Sequence, residues 1–253
     1  MSRSNPTQNA RNPSTRWFEW HGSKGQINYW DKEAKRRVDV ALPFTFLLLD
    51  ELATVRGFHE PSNSGIFANE VRDTRQETLL VRAFEGGEIA SGLYAAIRDR
   101  VKAHGGYFQA SCYTAYKDGE ALKIGNLGLN GAALQAWSEF KKRTNGLYDG
   151  AVSIVGYEDK TKGATKYRIP TFALKPTSPE TNDAAKKLDA DLQTFLAGYL
   201  KQPRTDQTAK PPVAHDEEKP PLPDSDPVPA GGGGGGDGFE DDDIPFITRH
   251  SVW

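Results

Sequence analysis

The chain offers little to redox, metal or membrane chemistry. It has one cysteine, one methionine and five histidines in 253 residues. A single thiol, Cys112, excludes an internal disulfide and a cysteine-based metal site. His21, His59, His104, His215 and His250 form no pair at ligand spacing, so no metal and no cofactor is expected. No apolar run approaches a membrane span, and Met1-Ser-Arg-Ser-Asn-Pro6 lacks the apolar core of a secretion signal. The expectation is a soluble protein in a reducing cytoplasm, with no membrane partner.

Catalytic signatures are missing too. Glu85-Gly-Gly-Glu-Ile-Ala-Ser-Gly92 has glycines but not the lysine of a phosphate-binding loop. Tyr116-Lys-Asp-Gly119 is one residue short of a nucleotidyltransferase Lys-x-Asp-Gly box and reads as a turn. No Gly-x-Ser-x-Gly elbow occurs. Asp50 and Glu51 are neighbours that would point to opposite faces of a strand. The chain reads as a binder rather than an enzyme.

What is present is divided. Residues 203–253 are dominated by proline, glycine and acidic residues, with six glycines at 231–236, and cannot bury enough apolar area to offset chain entropy. Of the 32 Lys/Arg and 34 Asp/Glu in the chain, this segment holds four and eleven, which leaves 28 and 23 upstream. A body of net charge +5 thus carries a tail of net charge −7, a distribution suited to a nucleic-acid binder. The expected organisation is a flexible arm over 1–14, one folded domain over 15–202 and a disordered acidic tail over 203–253.

Inside the body, short aromatic strands are expected at 16–20 and 26–30. A polar turn follows at 31–37, then a long extended run from Val38 through Leu49 towards Phe58, bent at Pro43. Hairpins are expected over 66–84, 107–129 and 151–172, the last around a basic loop at 158–163. Helices are expected at 88–104, 131–144 and 178–200; Trp137 and Phe140 lie on the core stripe of the second. The class is β-rich α+β, and the first choice of architecture is an antiparallel barrel like the oligonucleotide/oligosaccharide-binding (OB) barrel, with two or three peripheral helices.

Single-strand binding needs rings for bases beside cations for phosphates. The candidates are Trp20, Tyr29 and Trp30 with Lys32, Lys35, Arg36 and Arg37; Arg72 and Arg75; Tyr116 with Lys117 and Lys123; and Tyr157 with Lys160, Lys162, Lys166 and Arg168. Each ring competes with a core role, and each charged turn with simple solvation.

The tail ends in Asp237-Gly-Phe-Glu-Asp-Asp-Asp-Ile-Pro-Phe246, followed by Ile247-Thr-Arg-His-Ser-Val-Trp253. Carboxylates beside a small apolar hook suit a partner's pocket with a basic rim. Asp241, Asp242, Asp243, Ile244, Pro245 and Phe246 resemble the Asp-Asp-Asp-Ile-Pro-Phe tip of bacterial and phage single-stranded DNA-binding proteins. In that family the phenylalanine is usually terminal, whereas here seven residues follow it, which leaves Phe246 and Val252-Trp253 as alternative hooks. The resemblance covers six to eight residues. It implies non-specific binding and protection of single-stranded DNA in replication, recombination or repair, and recruitment of partner enzymes through the tip. The sequence leaves room for a homo-oligomer. An adaptor that binds proteins instead of DNA is the competing expectation, and a nucleic-acid-processing enzyme a more distant one.

Overall fold

The computed structural model describes residues 12–201. They build one large mixed sheet with three helices, in the order β1 (Arg16–His21), β2 (Gln26–Asp31), β3 (Arg36–Val40), β4 (Phe44–His59), β5 (Ser64–Ala68), β6 (Leu79–Ala83), β7 (Gly87–Gly92), α1 (Tyr94–Ala103), β8 (Gly106–Asp118), β9 (Ala121–Asn130), α2 (Gly131–Arg143), β10 (Ala151–Lys162), β11 (Thr165–Lys175) and α3 (Pro179–Tyr199). The β-rich α+β class is therefore as expected. The main path runs β3-β2-β1-β9-β8-β4-β5-β6-β7, and β10 branches off β4 and carries β11. Only β1 and β9 pair in parallel among these ladders; the others are antiparallel.

The long β4 organises the sheet. One edge lies against β8 from Phe46 to Gly57, while the other is shared, with β10 at Phe44–Phe46 and β5 at Arg56–His59. A bulge between Leu48 and Asp50 restarts the alternation in mid-strand. Asp50 then turns to one face, towards Arg72 and Gln193, and Glu51 to the other, towards Trp137 and Lys141. The expected opposition of these two carboxylates holds.

The branch strand β11 also meets the end of β1 and the β1–β2 turn. The Arg168 N–H of β11 donates to the Gly22 carbonyl in the β1–β2 turn at 2.8 Å, and the Trp20 indole N–H donates to the Arg168 carbonyl at 3.0 Å. Gly25 sits in this join with φ +66°; a Cβ there would lie 2.4 Å from Arg168 Cδ and 2.8 Å from the Tyr157 ring. Only glycine allows both the left-handed backbone and the contact.

The two faces of the sheet are covered differently. The core face carries Phe18, Phe46, Val55, Cys112 and Leu127 and is roofed by α1 and α2, through Ile97, Val101, Trp137 and Phe140. On the other face α3 covers only part, packing Leu192, Phe195 and Leu196 over Leu47, Leu49, Leu52 and Tyr113. The stripe of Trp137 and Phe140 read for the second helix is buried, whereas in α1 only Ile97 and Val101 of the expected stripe are, with Leu93 and Ala96 exposed. The N–H of Thr181 donates to Ser178 Oγ at the start of α3, with Pro179 in the first turn.

Three expectations need correction. The helix placed at 88–104 begins only at Tyr94, because residues 87–92 form β7 and pair with β6 from Leu79 to Ala83. Pairing outweighs a helical spacing that here served two elements in succession. The extended run from Val38 is not one bent strand: β3 stops at Val40 and lies at the sheet edge, while β4 starts at Phe44 in the middle. Pro43, which has no N–H for a ladder, stands between them. The basic stretch at 158–163 is not a loop, since strand pairing continues to Lys162↔Thr165 and leaves a two-residue turn. The tail and its tip, Asp241 to Phe246 included, lie outside the described residues, as does 1–11.

Candidate nucleic-acid interface

The part of the second face that α3 leaves open carries a cross-strand row of aromatic and cationic side chains. In register, Tyr107 of β8 is opposite Arg56 of β4, Arg56 opposite Phe67 of β5, Phe67 opposite Arg82 of β6, and Arg82 opposite Glu88 of β7. Ring, guanidinium, ring, guanidinium alternate at neighbouring strand positions, roughly 4.8 Å apart. Alternation along β5 and β6 is the reason: Ile66, Ala68, Leu79, Val81 and Ala83 are buried in the core, so Phe67 and Arg82 point out. Phe84 adds a second ring edge-on to Phe67, with centroids 6.4 Å apart, and is 40% exposed.

Electrostatics tie this row to β1–β3. Burial, assisted by the field of Glu19, pushes the Tyr107 phenol up to about 12 against the opposing effect of Arg56, Asn130 and Arg37, so the ring stays neutral. The Arg37 guanidinium donates to Glu19 Oε2 and to Asn28 Oδ1, both at 3.1 Å. Trp30 lies opposite Arg37 on the same face and is partly exposed. Trp30 and Arg37 thus extend the open face, and they are the sequence candidates that belong to it.

The other candidates are dispersed. Trp20 and Tyr116 are 8% and 2% exposed and serve the core; the Tyr116 hydroxyl is 2.9 Å from Thr15 Oγ1. Neither offers a ring face to a base. Tyr29 is on the core side, edge-on to Phe18 and beneath the Arg16 guanidinium at 4.5 Å. Lys32, Lys35 and Arg36 sit exposed on the β2–β3 turn, which Asp31 shapes by accepting the N–H groups of Glu33 and Ala34. At the same end of the sheet, Asp118 binds Lys123 at 2.6 Å and Arg16 at 3.1 Å, with Lys117 exposed alongside.

Arg72 is a structural cation. It holds Asp50 through two bonds of 2.7 and 2.8 Å and also reaches Gln193 of α3. Arg75 is exposed, in the turn that follows. The β10–β11 arm carries the rest. The Arg168 guanidinium lies over the Tyr157 ring at 5.0 Å and donates to Asp159 and to the Ser23 carbonyl. Lys160 pairs with Glu158 at 3.0 Å, and Lys162 and Lys166 are exposed near the tip. The basic turns therefore do not converge on one groove. The arm meets the β1–β2 turn, while the Lys32–Arg36 turn is at the far end of β2.

The sequence reading missed Tyr107, Arg56, Phe67, Arg82 and Phe84. Each odd-one-out arginine was visible as the single cation on the outward side of an apolar strand, but their alignment depends on four strand registers.

A buried polar cluster adjoins the row. The Glu70 carboxylate accepts from Ser111 and Tyr113, Asn126 donates to Ser111 Oγ at 2.7 Å, and Glu70 N–H donates to Tyr199 Oη at 3.3 Å. Burial raises the Glu70 pKa despite these donors and the nearby Arg56. Among the described residues no group of three His, Cys, Asp or Glu is placed to hold a metal ion, and no helix is long and apolar enough to cross a membrane.

Comparison with protein-family models, with curated proteins and with solved structures finds no match in any of the three.

Proposed function

We propose that the protein binds single-stranded DNA with little sequence preference, protecting it during replication, recombination or repair, and recruits partner enzymes through its acidic C-terminal tip. The observation that carries this reading is the Tyr107–Arg56–Phe67–Arg82 row on a part of the sheet face that α3 does not cover among the described residues. Rings stack on bases of any identity, and guanidinium groups between them meet phosphates. The likeness of residues 241–246 to the single-stranded DNA-binding protein tip supports it independently. The binding unit on this reading is an OB-like barrel built from β1, β9, β8, β4, β10 and β11; the join of Arg168 to Gly22 supports that description.

An adaptor that binds only protein is the alternative. It calls for an apolar patch without flanking cations, whereas the rings of this face are interleaved with Arg56, Arg82 and Arg37. Titrating the full chain with fluorescent oligo-dT and with a matched duplex at 50 and 200 mM salt tests the choice. Tight, salt-sensitive binding of the single strand with weak duplex binding is expected. No binding at the lower salt would refute it.

A further inference from the structure

A carboxylate stands in the middle of the open arginine and aromatic face. Glu19 on β1 is opposite Asn28 of β2 and Gly128 of β9, between Trp30 and Arg37 on one side and the Tyr107–Arg56 end of the row on the other. Its Oε2 accepts from Arg37 at 3.1 Å and lies 4.0 Å from His21 Nε2. Its charge also reaches Tyr107, whose phenol it helps to keep protonated. The side chain is 51% exposed, so the pair with Arg37 contributes little to the fold. Glutamine would satisfy the same donor without the charge.

The charge does have a consequence for ligands. A strand lying with its bases on the rings places its phosphates at the guanidinium groups and presents flat, uncharged surface elsewhere. A duplex keeps its bases inside and can approach this face only with phosphates. A fixed negative charge between the two cationic groups therefore repels the duplex and scarcely touches a stacked single strand, a specificity obtained by disfavouring the wrong partner.

We infer that Glu19 is a specificity-determining residue that excludes phosphate-presenting ligands, duplex DNA above all, from the face on which single strands stack. This rests on the nucleic-acid reading of the face. The test compares full-length wild type, Glu19→Gln and Glu19→Ala for binding oligo-dT and a matched duplex at 100 mM salt. Asp99→Asn on α1, an exposed carboxylate away from this face, corrects for the change in net charge. Both Glu19 variants are expected to bind duplex about fivefold more tightly, the upper end for one exposed charge, and oligo-dT less than about twofold more tightly. Equal gains on both ligands, no gain on duplex, or the same gain from Asp99→Asn would overturn the inference and leave single-strand binding intact. Wild type that binds neither ligand would overturn the nucleic-acid reading, and this inference with it.

Discussion

Replacing Arg56 and Arg82 together by alanine, and Phe67 alone by alanine, separates the two kinds of contact that the cross-strand row provides. Each phosphate neutralised on a single strand contributes a salt slope of roughly −0.7. Loss of two such contacts should make the slope shallower by about 1.4, which over a fourfold rise in salt is about a sevenfold smaller loss of affinity. A stacked ring contributes roughly 1–3 kcal/mol, so Phe67→Ala should weaken binding about 5- to 150-fold. It should do so with the slope unchanged, since a neutral ring displaces no counterion. Tyr107→Phe keeps its ring and should bind nearly as wild type does. The assay is fluorescence anisotropy with oligo-dT at four salt concentrations, with thermal melts to confirm that each variant is folded. If Phe67→Ala flattens the slope as the arginine variant does, or if neither variant alters binding, the alternation is a surface pattern and not a site.

Two further predictions concern the framework. Glu51 is 6% exposed and is held by Lys141 Nζ at 2.7 Å and the Trp137 indole N–H at 3.0 Å, so Lys141→Met strands a buried charge. It should cost about 2–3 kcal/mol in urea unfolding, less than a fully buried pair because Lys141 is partly exposed, and adding Glu51→Gln should recover most of that loss. The pH dependence of stability should have two opposing limbs. Glu70, raised above its ordinary 4.5, adds stability below that value and loses it as pH rises through the folded value. Asp50 is opposed by burial but is held below its ordinary 3.8 by hydrogen bonds from Arg72 and Gln193; its contribution is present above 3.8 and lost as pH falls through the folded value. Melting temperatures from pH 3 to 8 should therefore show Glu70→Gln abolishing part of the fall that sets in above pH 4.5, and Asp50→Asn abolishing part of the fall below pH 3.8. The reverse assignment would refute the signs.

The local pattern was legible where one element owned it. The hairpin over residues 107–129, the stripe of Trp137 and Phe140, and the Ser178-Pro179 start of α3 all lie where the residues placed them. Boundaries failed where two elements shared one spacing, as at Ile89, which fits a helical repeat with Leu93 yet belongs to β7. The site was harder to see for a different reason. Trp20, Tyr116 and Trp30 all stand next to a charged residue in the chain, but only the registers of β1, β2, β8 and β9 decide that the first two point inward. Arg56, Phe67 and Arg82 are separated by 11 and 15 positions in the chain and become neighbours through pairings that no short-range signal encodes.

That separation also explains why the open face stays open. Covering it as α3 covers Leu47, Leu49 and Leu52 would take Arg56, Arg82 and Arg37 out of water, at a cost that apolar contact with a helix cannot offset. The β4 bulge marks a change in that face, since it brings Leu47, Leu49 and Leu52 under α3 before the strand reaches Arg56. A change of register there would not merely shift side chains. It would turn Arg56 into the core in place of Val55 and Val55 outward, so the β4–β8 register protects the core and the face at once. Leu49 is the extra residue of the bulge, and deleting it leaves Leu48↔Thr114 and Asp50↔Tyr113 as neighbouring pairs with Arg56 still outward. The variant should therefore stay folded by circular dichroism, lose about 1.5–3 kcal/mol of burial in urea unfolding and bind oligo-dT as wild type does. Loss of oligo-dT binding in a folded deletion variant would refute this reading of the register.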